Sequence, residues 1–303
     1  MAIDLQHVLN SSSTLRIVSS LAQSLPPPVG YRIAYALADQ IARRRDSALI
    51  RALRANQWVA NGELQNGDML DQIVRETLRH SAHSLFDLYH YIHDFEATRR
   101  LIFFDQSFQP ILERSEFDKR GLVIAGLHLS NFDLILQWLA KGGMKLLVIT
   151  LPDPKGGRRV EYEIRQRTGL NLAPASVSAF RQALKHLQSG GLVLTGIDRP
   201  IEKPDVTPRF FGRPAALPVY HVFLALKAQV PVMITVTYRQ NDGKYHVFAS
   251  DPIEMDSCAN ADQAMLKNAE KILSVAERFI QQAPQQWSVP LPVWPQTLDR
   301  VPT

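Results

Sequence analysis

Short apolar runs alternate with amphipathic stretches along the second half of the chain. The runs predict strands at residues 121–127, 145–151, 170–173, 191–196, 231–238 and 244–250. Apolar residues at helical spacing predict helices at residues 131–140, 159–168, 176–188, 217–229 and 261–282. Because helices and strands alternate, and Asn241-Asp242-Gly243 marks a hairpin turn, we expect an α/β fold. Its sheet is predicted to be mixed, mostly parallel and flanked by helices.

The first part of the chain is helical in pattern. Apolar residues recur before Pro26–Pro28, and a second helix carries Ile33 and Leu37 and ends in Arg43–Arg45. We predict a single domain, with an N-terminal helical layer at residues 1–110 and an α/β core at residues 111–303. Residues 13–45 combine an apolar face with a cationic end. This combination favours either packing in the core or contact with an anionic membrane surface.

Composition narrows the class of protein. The chain has 303 residues, which is long enough for one α/β domain with helical additions. Its single cysteine, Cys258, excludes a disulfide framework and a cysteine-based metal cluster. The net charge of +5 suits anionic lipids, phosphorylated ligands or acidic carrier proteins, and no basic tail indicates nucleic-acid binding. No apolar run approaches the ~20 residues of a membrane span.

Four histidines lie on a helical pattern at residues 67–96, namely His80, His83, His90 and His93. A zinc site needs three or four converging ligands, and His83 and His90 are nearly two turns apart. We therefore predict that this helix face packs or is solvated, and that the protein holds no metal. With no targeting signal evident, we expect a cytoplasmic protein that is soluble or attached to a membrane surface.

The strongest candidate chemistry follows the predicted strand at 121–127, in the sequence His128-Leu129-Ser130-Asn131-Phe132-Asp133. A histidine and a carboxylate that straddle a strand end and a helix start can converge, which makes the imidazole a general base. The alternative is structural: with Ser130 as N-cap, Asp133 completes a capping box. His246 and Asp251 share the spacing, but in a continuous strand they point to opposite faces.

Three more clusters carry candidate chemistry. Asp198 and Arg199 follow the strand at 191–196, at the end where α/β folds place their sites. The alternative to a role in the site is that Asp198 forms a turn or an ion pair with its neighbour. Five cations lie from residue 155 to residue 167. Of these, Arg165 is the candidate for binding a phosphate or an oxyanion, while a solvated face suits most of the others. The third cluster is the Gly/Pro loop at residues 209–214. There, Phe210 and Phe211 either line a channel for an acyl chain or fill the core.

Together these clusters resemble the bacterial lipid A biosynthesis acyltransferase family, with a closer likeness to the phosphatidylinositol mannoside acyltransferases. The matching pieces run in family order: His128-x4-Asp133, Arg165 before Gly169, Asp198-Arg199, Phe210-Phe211-Gly212 and Pro284-Gln285-Gln286-Trp287. The resemblance as a whole covers roughly residues 26 to 295. No Gly-x-Ser-x-Gly elbow, dinucleotide loop or Walker A loop is present to indicate another enzyme class.

The resemblance implies a transferase that moves a fatty acyl group from acyl-coenzyme A or acyl-carrier protein to a hydroxyl of a glycolipid or phospholipid. It implies no cofactor, and attachment at the inner face of the cell membrane. His128 is then the general base, and Asp198 stands where these relatives carry a second acid, typically glutamate. We favour Asp198 as the direct partner of His128 and Asp133 as a positioning group.

Further roles complete this expectation. Arg165, Ser130, Asn131 and Arg199 are expected to bind the oxyanion or a phosphate, and Phe210, Phe211 and Gly212 to bind the acyl chain. Pro200 stands where members of the family commonly carry an acidic residue. This difference leaves the identity of the acceptor open. A non-catalytic lipid-binding protein and an acyl-thioester hydrolase are the alternative functions.

Overall fold

The computed structural model describes residues 12–114, 120–152, 157–258 and 260–303. Its centre is a seven-stranded sheet in the order β1-β9-β8-β2-β5-β3-β4. The strands of this sheet are β1 (Ile102–Phe104), β2 (Leu122–Gly126), β3 (Leu146–Thr150), β4 (Asn171–Pro174), β5 (Leu192–Gly196), β8 (Val232–Arg239) and β9 (Tyr245–Ala249). Among the described strands of this sheet, all pairings are parallel except that of β8 with β9. A separate two-stranded ribbon consists of β6 (Arg209–Phe210) and β7 (Arg213–Pro214).

Helices cover both faces of the sheet and form the N-terminal part. The N-terminal helices are α1 (Ser12–Ser24), α2 (Pro27–Ala42), α3 (Ala48–Ala60), α4 (Gly67–Tyr91) and α5 (Phe95–Arg100). The remaining helices are α6 (Gln109–Leu112), α7 (Phe132–Lys141), α8 (Gly157–Arg167), α9 (Val177–Gln188), α10 (Tyr220–Ala228) and α11 (Ala261–Gln282). The predicted α/β fold with a mixed, mostly parallel sheet and N-terminal helices is confirmed.

Side-chain alternation along the strands divides the core into two layers. One face carries Val123, Val193 and Leu147 toward a large cluster that includes residues of α9, α10 and α11. The other face carries Ile124 and Val148 toward α7 and the buried residues around α6. This second layer is the one that contains the cavity described below.

Several elements differ from the sequence prediction, three of them for reasons that the structure makes plain. The helix predicted over residues 67–96 ends at Tyr91, and Asp94 caps a separate helix, α5, by accepting a hydrogen bond from the Ala97 amide. Strand β1 is only three residues long, too short to show alternation. Helix α3 was missed because ten of its residues are buried, including polar Arg54 and Gln57, so no apolar stripe marks it.

His221, on α10, is a buried ionisable side chain in the protein core. It is 1% exposed, and within the described residues neither ring nitrogen has a hydrogen-bond partner. Burial lowers the pKa of His221 to about 3 from its ordinary value of 6.5. Below pH 6.5 the unfolded chain therefore binds a proton that the folded chain does not, and stability falls as the pH falls toward 3.

We expect His221→Leu to remove this acid sensitivity because leucine keeps an apolar side chain and binds no proton. Between pH 7.5 and pH 4.5 the wild type should lose roughly 2 kcal/mol more unfolding free energy than the variant. Urea unfolding midpoints at the two pH values measure the difference. Equal losses in both proteins would contradict the assignment.

Candidate active site

The register of two neighbouring strands brings His128 and Asp198 together. β2 and β5 are parallel and pair Gly126 with Gly196, so residues two positions beyond each glycine lie side by side. His128 Nδ1 is 2.6 Å from Asp198 Oδ1, and the His128 amide donates to Asp198 Oδ2 at 2.8 Å. A Cβ atom on Gly196 would lie 3.4 Å from His128 Cε1, so glycine leaves room for the ring.

Asp198 is fully buried and serves as a hydrogen-bond acceptor. Burial works to raise its pKa, but the charge of His128, hydrogen bonds from His128 and one from the Trp287 indole outweigh burial and lower the pKa. An ionised Asp198 accepts the proton on His128 Nδ1. The other ring nitrogen, Nε2, is then the basic one.

Asp133 is held by a different partner. Arg165 Nε donates to Asp133 Oδ1 at 2.9 Å and Arg165 Nη2 to Oδ2 at 2.8 Å, and Gln137 adds a bond at 3.1 Å. Among the described residues Asp133 has no hydrogen bond to His128. The bidentate pair instead joins the first turn of α7 to the last turn of α8.

The cap of α7 also differs from the capping box considered above. Asn131, not Ser130, is the N-cap, and its side-chain oxygen accepts from the Leu134 amide at 3.4 Å. Asn131 Nδ2 donates to the carbonyl of Ser84 on α4 at 2.9 Å. Ser130 adopts a left-handed conformation with φ of 50°, which turns the chain from β2 into α7.

A cavity of about 450 Å³ opens beside His128 and lies against one face of the sheet. Its polar end is lined by His128, Ser130, Asn131, Arg165 and Arg199. The rest is mostly apolar, with Ile124, Leu194, Val148, Leu146, Met144, Leu139, Ile111 and Phe108 among the lining residues. Because Leu146 begins β3 and His128 lies past the end of β2, the cavity runs the length of the strands.

A comparison with protein families matches residues 13–295 to the bacterial lipid A biosynthesis acyltransferase family. The chain belongs to this family. The family resemblance stated from the sequence motifs is thereby confirmed. A comparison with curated proteins finds no match.

Family membership makes the chain an O-acyltransferase of lipid biosynthesis, with an acyl donor and a lipid acceptor as its substrates. None of the described helices is long and apolar enough to cross a membrane. Within the described residues, no three or more His, Cys, Asp or Glu side chains are grouped to hold a metal ion.

Phe210, Phe211 and Gly212 are not among the residues that line this cavity, so the cavity gives no support to the expectation that they bind the acyl chain. Phe210 is fully buried and stacks on Trp294 with ring centroids 5.5 Å apart, and Phe211 packs against Trp294 and Trp287. Gly212, with φ of 70°, closes the turn between β6 and β7. Phe210 thus fills the core, as in the alternative considered above, and Phe211 packs half-buried against the same cluster.

The remaining candidates outside this site have local partners. Arg159 pairs with Glu163 on its own helix, and Lys155 lies outside the described residues. His246 lies in β9 and its Nε2 bonds to Asp242 at 3.0 Å, so its hydrogen-bond partner is Asp242 and not Asp251. His83 bonds to Tyr35 and pairs with Asp87, which accounts for both of its ring nitrogens.

The sequence interpretation gave no role to the segment that contains Trp287. Its indole bonds to Asp198, and Gln286 and Ser288 bond to the main chain of Ser130 and His128. The motif at residues 284–287 was the available signal, since it belonged to the ordered set of family pieces. Its contact with the site was not readable because 89 residues separate Trp287 from Asp198.

We expect Asp133→Ala to destabilise the protein by about 2 kcal/mol, because it leaves the mostly buried Arg165 guanidinium without its carboxylate. Burial works to lower the pKa of Arg165, but Asp133 raises it, so the arginine stays charged. Adding Arg165→Met to Asp133→Ala removes the unpaired charge and should recover most of the loss. Urea unfolding measures both variants, and a double variant no more stable than Asp133→Ala would refute this account.

Proposed function

We propose that the protein transfers a fatty acyl group from an acyl thioester, acyl-coenzyme A or acyl-carrier protein, to a hydroxyl of a membrane glycolipid or phospholipid. The observation that carries this proposal is the buried Asp198 bonded to Nδ1 of a cavity-lining His128. That bond makes Nε2 the general base for an acceptor hydroxyl. The proposed likeness to phosphatidylinositol mannoside acyltransferases rests on the sequence motifs alone.

The reaction is direct acyl transfer. His128 Nε2 takes the proton of the acceptor hydroxyl as its oxygen bonds to the thioester carbonyl carbon, which gives a tetrahedral oxyanion. The oxyanion collapses, the carbon–sulfur bond breaks, and the thiolate takes the proton back from the imidazolium. An ester and a free thiol result, and His128 returns to its starting state.

Charge complementarity supports the oxyanion step. Arg165 remains cationic and lines the polar end of the cavity together with Arg199. The first turn of α7 begins four residues after His128, and its amides point toward the N-terminus of the helix, the positive end of the helix dipole. Arg165 is partly neutralised by Asp133, so the amides of α7 share the role of stabilising negative charge.

The apolar part of the cavity suits the acyl chain of the donor. Its lining residues are mostly aliphatic, and its volume lies within the range of ligand pockets. An apolar channel that ends at a general base places the carbonyl carbon of a bound acyl group beside that base. A water in place of the acceptor hydroxyl would give the thioester hydrolase, which the experiment below separates.

Exposed apolar residues support attachment to the inner face of the membrane. Ile17 and Leu21 on α1 are 60% and 54% exposed, and Leu37 on α2 is 58% exposed. α1 packs against α8, whose residues Tyr162 and Arg165 line the cavity. The α1 part of this apolar surface therefore lies on a helix that packs against the border of the site, and we infer that a lipid acceptor approaches His128 from this side.

We expect His128→Ala to reduce lipid-stimulated thiol release from palmitoyl-coenzyme A by about 10²–10⁴-fold, because the general base is lost. The assay compares release with and without a total lipid extract, and mass spectrometry identifies the acylated lipid. His246→Ala is the matched control, since its imidazole bonds only to exposed Asp242 among the described residues. Acyl transfer by His128→Ala at the wild-type rate would contradict the proposal. Thiol release without an acylated lipid would favour the hydrolase.

We expect replacement of Leu21 and Leu37 by glutamate to weaken sedimentation with anionic phospholipid vesicles by about tenfold or more, since two exposed apolar contacts are lost. Leu64→Glu is the control because Leu64, at 86% exposed, lies in the turn between α3 and α4. Equal binding by the double variant and the control would argue against a membrane role for α1 and α2.

A further inference from the structure

The segment Gln286–Ser288 runs antiparallel to the turn that carries His128. The Ser130 amide donates to the Gln286 carbonyl at 2.9 Å, and the Ser288 amide donates to the His128 carbonyl at 3.1 Å. Leu129 and Trp287 face each other between these two bonds as an antiparallel bridge. The main chain on each side of Leu129, directly after His128, is therefore fixed by the one short segment Gln286–Ser288.

The Trp287 side chain continues this contact to the acid. Its indole N–H donates to Asp198 Oδ2 at 2.8 Å, and both side chains are fully buried. Oδ2 also accepts from the His128 amide, whereas Oδ1 faces His128 Nδ1. Two donors on Oδ2 prevent the carboxylate from rotating, so Oδ1 is held toward the imidazole.

Buried amide side chains hold Trp287 itself in place. Gln57 of α3 donates from Nε2 to the carbonyls of Pro284 and Trp287, at 2.8 Å and 2.9 Å. Gln286 accepts from the Arg239 amide and donates to the Arg239 carbonyl at the end of β8. The indole is thus presented by a segment that is anchored to α3 on one side and to the sheet on the other.

We propose that Trp287 is a positioning residue for the reaction, because its indole N–H orients the Asp198 carboxylate that in turn holds His128. This inference rests on the proposed role of His128 as general base. The competing explanation is that Trp287 only fills the core, as a large buried side chain in an aromatic cluster. The two explanations differ in whether the N–H group or the ring volume matters.

Trp294 separates these explanations. It is fully buried like Trp287, belongs to the same cluster, and its ring centroid lies 6.3 Å from that of Trp287. Its indole nitrogen has no hydrogen-bond partner in the part of the chain that the structure describes. Trp287→Phe and Trp294→Phe therefore remove the same volume from one cluster, but only the first removes a hydrogen bond to Asp198.

We expect Trp287→Phe to lower kcat/KM for lipid-stimulated thiol release by about 10–100-fold, the effect of losing a hydrogen bond to a charged group. Trp294→Phe should lower it less than about threefold, given that no such bond is lost. A carboxylate with one donor fewer is more basic and stabilises the imidazolium. The acidic limb of the pH profile should therefore shift to higher pH in Trp287→Phe and stay in place in Trp294→Phe.

Titration by NMR of protein labelled at histidine Cε1 tests the same point without turnover, with the His128 signal assigned by its loss in His128→Gln. Trp287→Phe should raise the apparent pKa of the His128–Asp198 pair, and Trp294→Phe should leave it unchanged. Coinciding titrations, or equal rate losses in the two tryptophan variants, would overturn the inference. If the two tryptophan variants differ in titration but the wild type transfers no acyl group, the proposed function is overturned, while the orientation of Asp198 by Trp287 stands.

Discussion

Parallel hydrogen bonding between β2 and β5 sets the relative position of His128 and Asp198, the pair on which the site depends. The 70 residues that separate Gly126 from Gly196 in the strand register also separate His128 from Asp198. A slip of one residue in this pairing would turn one of the two side chains to the opposite face of the sheet. The strands are apolar and buried on both faces, so their packing against two core layers fixes the register. The chemistry of the site thus follows from a core-packing constraint.

The same register buries the Asp198 carboxylate, and the surrounding chain supplies the hydrogen-bond donors that stabilise its charge. A carboxylate that is fully buried at a strand end is unstable unless donors surround it. Asp198 has three donors, two from His128 and one from Trp287. Asp133 follows the same logic on the other side of the turn, where Arg165 and Gln137 are its donors. Each acid of the site therefore has a separate set of partners, and His128 belongs to only one of them.

The sequence predicted the sheet and most helices because buried parallel strands appear as apolar runs and the covering helices as apolar stripes. It placed His128 and Asp198 each at the carboxyl end of a predicted strand, where α/β folds place their sites. Their pairing was implied by the resemblance to the acyltransferase family. The sequence could not show that Asp133 binds Arg165, because the spacing of Asp133 from His128 fits a capping box as well as a catalytic pair. Phe210 looked like a ligand contact in a Gly/Pro loop, but its burial depends on Trp287 and Trp294, which lie far along the chain.

The anchoring of Trp287 by Gln57 has a consequence for biosynthesis. Gln57 lies on α3, whereas the carbonyls it binds belong to residues 284 and 287. During translation the strands that carry His128 and Asp198 leave the ribosome well before Trp287 does, so the nascent chain holds both members of the pair without the donor to Asp198. The complete arrangement forms only when α3 meets the segment at residues 284–287. The contact that orients the Asp198 carboxylate is therefore the last of these contacts to become possible as the chain is synthesised.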